Sequence, residues 1–266
     1  MDIDDRVIIV TGGASGIGRE LCRAFGARGA RGVTVADIDG AGADRVAGEL
    51  DGAGRALAMQ VDVADEDQVA AMVRKTEEAF GPIDLFCANA GIIVGGGVEA
   101  PDADWERMWA VNVLSHVYAA RSVLPAMIER GRGYLLHTAS AAGLLTQLGS
   151  APYSVTKHAV VALAEWLSIT HAADGIKVSC LCPQGVWTNM TGVPTEDADP
   201  LLSATAGRNG MLMPEEVAAV VVEGLADERF LILPHPEVAE FERRRAGDRE
   251  RWLRAMRRIQ AEITPA

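Results

Sequence analysis

Arg6-Val-Ile-Ile-Val-Thr11-Gly12-Gly-Ala-Ser-Gly-Ile-Gly18, continued by Arg19-Glu-Leu-Cys-Arg-Ala-Phe-Gly-Ala-Arg28, sets three kinds of local structure end to end. Arg6 to Thr11 is a short apolar run rich in β-branched residues, which suits a buried strand. Gly12 to Gly18 is a glycine turn, and Arg19 to Arg28 has the composition of a helix. A turn of this kind lets the backbone approach a pyrophosphate and places that group at the positive end of a helix, the physical basis of dinucleotide binding in α/β folds. A glycine loop alone is often only a tight turn. Its place directly after the first strand makes Gly12, Ser15, Gly16, Ile17 and Gly18 candidate cofactor contacts.

The same strand and helix alternation repeats along the rest of the chain. Further strands are expected at Gly32–Asp37, Ala56–Val61, Ile83–Ala88, Tyr134–Ala139, Gly175–Cys182 and Phe230–Pro234. Helices are expected at Ala41–Leu50, at Asp65–Phe80 with Gly81-Pro82 ending it, from an Asp104 cap to about Ile128, from Pro152 to about Ala172, and from Pro214 to about Ala226. Pro125 should stop or kink the third of these. The pattern implies an α/β fold with a doubly wound, mainly parallel sheet. Asp37 ends the second strand nineteen residues after Gly18. A carboxylate there can accept both adenosine ribose hydroxyls of NAD and would repel the 2′-phosphate of NADP. Taken alone, Asp37 and Asp62 also suit turn or helix-cap positions.

The chemistry resides in Ser140-Ala-Ala-Gly-Leu-Leu-Thr-Gln-Leu-Gly-Ser-Ala-Pro-Tyr-Ser-Val-Thr-Lys157. Tyr153 and Lys157 stand four apart on the helix that Pro152 opens, so both project from one face. A phenol titrates near pH ~10, and a fixed ammonium beside it is expected to lower that value. Ser140, at the end of a strand, can hold a carbonyl oxygen. Together these groups describe a site that moves a proton on or off an alcohol oxygen while a nicotinamide exchanges a hydride with its carbon.

A Ser, a Tyr thirteen positions later and a Lys four beyond it, joined to Thr-Gly-x-x-x-Gly-x-Gly at Thr11 to Gly18, resemble the short-chain dehydrogenase/reductase family from about Arg6 to Leu233. The resemblance implies a Rossmann-like sheet in the order 3-2-1-4-5-6-7 and an NAD-linked oxidoreductase that interconverts a secondary alcohol and a ketone. It implies that Asp62 and Val63 contact adenine, and that Asn89, Ala90 and Gly91 hold the central sheet beside the cofactor. By the same resemblance Asn112 is a fourth catalytic residue, holding a water that links Lys157 to solvent, and Lys157 also binds the nicotinamide ribose. Pro183, Gly185, Val186 and Thr188 match the family's Pro-Gly-x-Val-x-Thr element around the carboxamide, although Gln184 takes the usual glycine position. Ser15 and Ile38 supply no basic residue where NADP-using relatives carry one, which favours NAD. Relatives pair through the long helices after strands four and five, so a homotetramer using the helices near Trp105–Ile128 and Pro152–Ala172 is expected. A lid over about 187–212 is also implied, and Leu144, Leu145, Gln147, Trp187, Met190, Leu201, Leu202 and Met211 are candidates for an apolar pocket. Two other classes compete. An NAD(H)-binding redox sensor would bind without turnover, and a sugar-nucleotide epimerase of the longer related branch would show no net consumption of NAD.

The 266 residues, 49% hydrophobic, suit one domain over 1–236 and an Arg-rich tail over 237–266. In the tail, Val238, Phe241, Trp252, Leu253, Met256, Ile259 and Ile263 mark one side of a helix interrupted near Gly247. It packs over the body or a neighbouring subunit, or else serves as an anion-binding arm. A net charge of −12 argues against nucleic acid or an anionic membrane as partner. Cys22, Cys87, Cys180 and Cys182 lack Cys-x-x-Cys spacing and fall in apolar segments, which fits reduced thiols and the cytoplasm. No apolar run is long enough for a membrane span or signal peptide. His116, His137, His158, His171 and His235 show no metal-ligand spacing, so no metal is expected.

Overall fold

The computed structural model describes residues 1–50, 55–190 and 210–263. Seven parallel strands form one sheet: β1 (Val7–Thr11), β2 (Gly32–Asp37), β3 (Ala56–Gln60), β4 (Leu85–Ala88), β5 (Gly133–Thr138), β6 (Ile176–Leu181) and β7 (Leu231–Ile232), in the order β3-β2-β1-β4-β5-β6-β7. The helices are α1 (Gly16–Gly26), α2 (Gly40–Leu50), α3 (Glu66–Phe80), α4 (Asp102–Trp109), α5 (Ser115–Glu129), α6 (Ala142–Leu145), α7 (Ala151–Thr170), α8 (Pro214–Ala226), α9 (Glu237–Gly247) and α10 (Arg249–Ile263).

Strand β1 shows why both faces are covered. Its side chains alternate across the sheet, and all five are buried. Val7 and Ile9 enter a core with residues of α3, α5 and α7, whereas Ile8 and Val10 enter one with residues of α1, α2 and α8. Strands buried on both sides read as unbroken apolar runs, which is what the sequence shows. Because β1 lies between β2 and β4, the chain reverses direction across the sheet there. The C-terminal strand ends beside such a reversal form the crevice where open α/β sheets bind ligands.

Several expected boundaries shift. Helix α1 begins at Gly16, within the glycine turn. Asp104 is not the cap of α4: the helix starts two residues earlier, after Pro101, and Asp104 lies in its first turn. The expected single helix to Ile128 is broken by a π-helical turn, Ala110–Leu114. Pro125 does not stop α5, which continues to Glu129; the proline lies within a turn of the end, and Leu124 and Ile128 around it pack on the core. Gly96 accepts from Ala151 N–H and donates to the Gly149 carbonyl, both at 2.9 Å, which ties the glycines at 95–97 to the start of α7.

The tail divides where expected. Asp248 is extended and its carboxylate accepts the Arg251 N–H at 2.9 Å, starting a new helix after Gly247. Val238 of α9 is buried in the main core, with Phe241 and Trp252 packed against it. Among the described residues no helix is long and apolar enough to cross a membrane.

Candidate active site

The glycine turn is built for close approach. Gly12 has φ +67°, and a Cβ there would lie 2.9 Å from Ala90 Cα; a Cβ on Gly18 would lie 2.0 Å from the Gly12 carbonyl oxygen. Only hydrogen fits at either place, so the first turn of α1 lies directly on the loop. Asp37 joins that loop to the end of β2: its carboxylate accepts Ala14 N–H and Asp39 N–H, both at 3.0 Å.

Asn89 ties three strand ends together. Its side chain donates to the Thr11 carbonyl at 3.1 Å and accepts from Thr138 Oγ1 at 3.1 Å, while Thr11 Oγ1 accepts the Asn89 and Ala90 N–H groups. These bonds pin β1, β4 and β5 side by side at the crevice. The crevice is a cleft of about 580 Å³. At one end it is lined by Gly12, Ser15, Gly16 and Ile17, with Asp37, Ile38, Asp62 and Val63 beside them; Asn89, Ala90 and Gly91 form its middle. Ser140, Tyr153, Lys157, Pro183 and Val186 also line it, and Thr188 reaches back to the glycine turn, 3.0 Å from where a Gly16 Cβ would stand. Gly18 and Gly185 do not line it. Gly18 packs against Gly12, and the Gly185 carbonyl accepts Leu212 N–H at 3.0 Å.

Helix α7 carries the reacting pair. Ser150 caps it, accepting Tyr153 N–H at 3.2 Å, and Pro152 stands in its first turn. Tyr153, Lys157 and Ser140 are buried, and Ser140 Oγ accepts Ala142 N–H at 3.1 Å and donates to the Pro183 carbonyl at 3.4 Å. Burial pushes Tyr153 above its ordinary value, and the neighbouring Ser140 hydroxyl opposes that rise. The net lowering expected from the spacing of Tyr153 and Lys157 is not what the cofactor-free chain shows, because burial outweighs it. The Lys157 ammonium sits 5.7 Å from the Tyr153 ring centroid and donates to the Thr138 carbonyl at 2.9 Å. Burial brings Lys157 itself down to about 8, so at neutral pH it remains charged.

Asn112 is fully buried behind the cleft, in the π-helical turn. Its side chain accepts Ile92 N–H and donates to the Ile92 carbonyl, both at 2.9 Å, and also reaches Thr156 Oγ1 at 3.3 Å. The extra residue of a π-turn re-aims a side chain, and here it turns Asn112 toward the segment after β4. Asn112 Oδ1 and Lys157 Nζ lie 3.3 and 3.4 Å from where a Gly91 Cβ would stand, so both groups face one small glycine.

Sequence reasoning missed three contributors. The Thr138 carbonyl that holds Lys157 is backbone and leaves no residue signal. His235, buried after β7, accepts the Gln184 N–H at 3.2 Å, which fixes the loop at the position where Gln184 replaces glycine. His116 and His137, twenty-one residues apart, meet with Nδ1 atoms 3.0 Å apart under the site, and burial pushes both down, His137 to about 4. Among the described residues no three metal-capable side chains cluster. Cys22, Cys87, Cys180 and Cys182 are buried and free.

The pocket candidates divide. Met190 lines the cleft; Leu145 and Gln147 line a second cavity beside α6; Leu144 is core; Trp187 lies beside the glycine turn with Ser15; Met211 is partly buried; Leu201 and Leu202 lie outside the described residues.

The model of the short chain dehydrogenase family matches residues 6–199. A meso-2,3-butanediol dehydrogenase of Serratia marcescens is 37% identical over 235 residues, 87% of this chain and 92% of the relative. A 1-deoxy-11-beta-hydroxypentalenate dehydrogenase of Streptomyces exfoliatus is 36% identical over 242 residues, 89% and 86% of the two chains. The crystal structure of a short chain dehydrogenase/reductase from Burkholderia phymatum in complex with NAD superposes with a TM-score of 0.85 at 31% identity, covering 94% of this chain and 96% of that one.

Proposed function

Since the chain belongs to the short-chain dehydrogenase/reductase family, we propose that it interconverts a secondary alcohol and a ketone with NAD as the hydride carrier. The cleft fits that cofactor on its own terms. Gly12 and Gly18 leave a cradle that a Cβ would fill, α1 presents its N-terminus to it, and the Asp37 carboxylate ends β2 with no basic residue at Ser15 or Ile38. The Gly12–Gly18 turn would hold the pyrophosphate, Asp37 the adenosine ribose, and the Pro183–Thr188 loop the nicotinamide end. Bound there, NAD supplies the two-electron acceptor for the hydride that leaves the alcohol carbon.

The chain's own residues handle the oxygen and its proton. Ser140 positions the reacting oxygen. Tyr153 takes the hydroxyl proton as the carbon–hydrogen bond breaks and C=O forms, and returns it in reduction. Lys157, charged below about pH 8, stabilises the phenolate form of Tyr153, which accepts the proton in oxidation and is regenerated in reduction. Asn112 positions Ile92 and supports a proton path from Lys157. The observation that carries the proposal is the meeting of Ser140, Tyr153 and Lys157 in the same cleft as the glycine turn and Asp37.

Residues 1–236 form the catalytic unit in this reading, with the tail added to it. Two molecular properties belong to the same proposal, a homotetramer and a cytoplasmic setting. The test is NAD+ against NADP+ reduction, followed by the absorbance of reduced nicotinamide, over a panel of secondary alcohols. Turnover with NAD+ should fall by about 10² to 10⁴-fold in Tyr153→Phe. Undiminished turnover in that variant sinks the mechanism. NADH binding without turnover over the whole panel points instead to a sensor.

A further inference from the structure

A second cavity, about 630 Å³, lies beside the catalytic cleft between the segment that follows Ser140 and the two tail helices. Its walls are apolar, from Leu145 of α6, Phe241 of α9, and Trp252, Met256 and Ile259 of α10. Two residues join it to the chemistry. Gln184 lines both the cavity and the cleft, and Ala142, another wall residue, packs against Tyr153.

The rim has the opposite character. Arg244, Arg251 and Arg258 all line the cavity. Arg251, Ala255 and Arg258 recur four and seven residues along α10, so one helical face presents the arginines together with the apolar wall. Arg244 is paired with Glu240 at 2.8 Å, but among the described residues neither Arg251 nor Arg258 has a carboxylate partner. Asp248 is also on the rim, and its carboxylate is engaged with the Arg251 N–H at the start of α10. Residues 237–266 contain eight arginines against six acids, a balance of +2, while residues 1–236 carry −14. An anion is repelled by most of this molecule and attracted here. A guanidinium fork matches a carboxylate in shape as well as charge.

We propose that this cavity is the distal part of the substrate pocket, and that it takes an apolar carbon skeleton ending in a carboxylate held by Arg251 and Arg258. The substrate is then an apolar hydroxy acid, with its hydroxyl carbon at Tyr153 and its acid group at the tail. This inference rests on the dehydrogenase reading of the Tyr153 site, and it gives the Arg-rich tail a role in selecting the substrate.

The test compares cyclohexanecarboxylate with cyclohexanecarboxamide by isothermal titration calorimetry on the full-length, NADH-saturated protein. The carboxylate should bind at least about tenfold more tightly than the amide, the effect of one charge-assisted contact. In Arg251→Gln/Arg258→Gln its affinity should fall to that of the amide. Arg254→Gln, which is exposed and does not line the cavity, should keep the preference. Equal affinities in the wild type, no carboxylate binding up to about 1 mM, or a preference that survives the double variant would each overturn the proposal. Turnover of neutral secondary alcohols, abolished by Tyr153→Phe, is read separately. If that turnover is present and the carboxylate preference absent, the cavity proposal alone fails; if the preference is present and turnover absent, the dehydrogenase reading fails.

Discussion

Lys157 is only 2% exposed, and its ammonium has the Thr138 carbonyl as its hydrogen-bond partner at 2.9 Å. Burial lowers it from 10.5 to about 8, so the fold holds a charge it would rather expel. The pH dependence follows from the sign of that shift. Below about 8 the lysine is charged in folded and unfolded chains alike, and the folded state bears the full desolvation cost. Between about 8 and 10.5 only the unfolded chain keeps the proton, so the cost declines as pH rises, and above 10.5 it is gone. Lys157→Met removes this contribution. Its stability relative to wild type, from urea unfolding of the cofactor-free protein, should be most favourable near pH 7 and decline by on the order of 3 kcal/mol as pH rises past about 10. A difference that stays flat over that range would contradict a desolvated lysine. The four-residue spacing of Tyr153 and Lys157 was legible because it depends only on helical period. The net direction of the phenol's shift was not, because the depth of burial is a property of the assembled fold.

Helix α7 holds the pair through its first turn. Ser150 Oγ accepts Tyr153 N–H and donates to the Val94 carbonyl, so one hydroxyl caps the helix and ties it to the segment after β4. Ser150→Ala should cost about 1–2 kcal/mol in chemical denaturation, the ordinary worth of a cap, with the Val94 carbonyl also left without this donor. Turnover should fall with it, since Tyr153 is the residue whose N–H is released. A loss below about 0.5 kcal/mol would show that the cap bears no load. Element existence was readable along nearly the whole chain, because apolar runs, glycines and Pro152 act locally. The π-helical turn at Ala110–Leu114 was not. Trp105, Met108 and Val111 fit ordinary helical spacing, and the bonds that accompany the added residue run from Asn112 to Ile92, twenty residues away. Asp104 misled for a related reason: a good capping residue stood two positions inside a helix that begins after Pro101.

At the scale of the molecule, alternating strands and helices made a parallel sheet the natural expectation, and the order across it came from the family resemblance. The meeting of the tail with the 140s segment had no comparable signal, because apolar spacing shows that a helix has an inner face and not which surface that face covers. Val155, Trp166 and Ile169 of α7 are 48, 57 and 80% exposed, and Trp109 of α4 is 43% exposed. Positions 155, 166 and 169 lie at offsets of eleven and three residues, which align on one face of a helix. Apolar side chains gathered on a helix face, unlike ones scattered singly, mark contact with another surface. They lie on the helices through which the homotetramer is proposed to form. Light scattering should therefore give a tetramer at micromolar concentration, and Trp166→Glu/Ile169→Glu should reduce it to smaller species, since each interface repeats a change made on one chain. Both substituted side chains are exposed in the single chain, so the fold itself should survive, and an unchanged far-ultraviolet circular dichroism spectrum would show it. A wild-type monomer at that concentration removes the proposal. A tetramer that persists in the double variant moves the interface off α7, because two buried carboxylates on every copy would face an apolar surface without a partner.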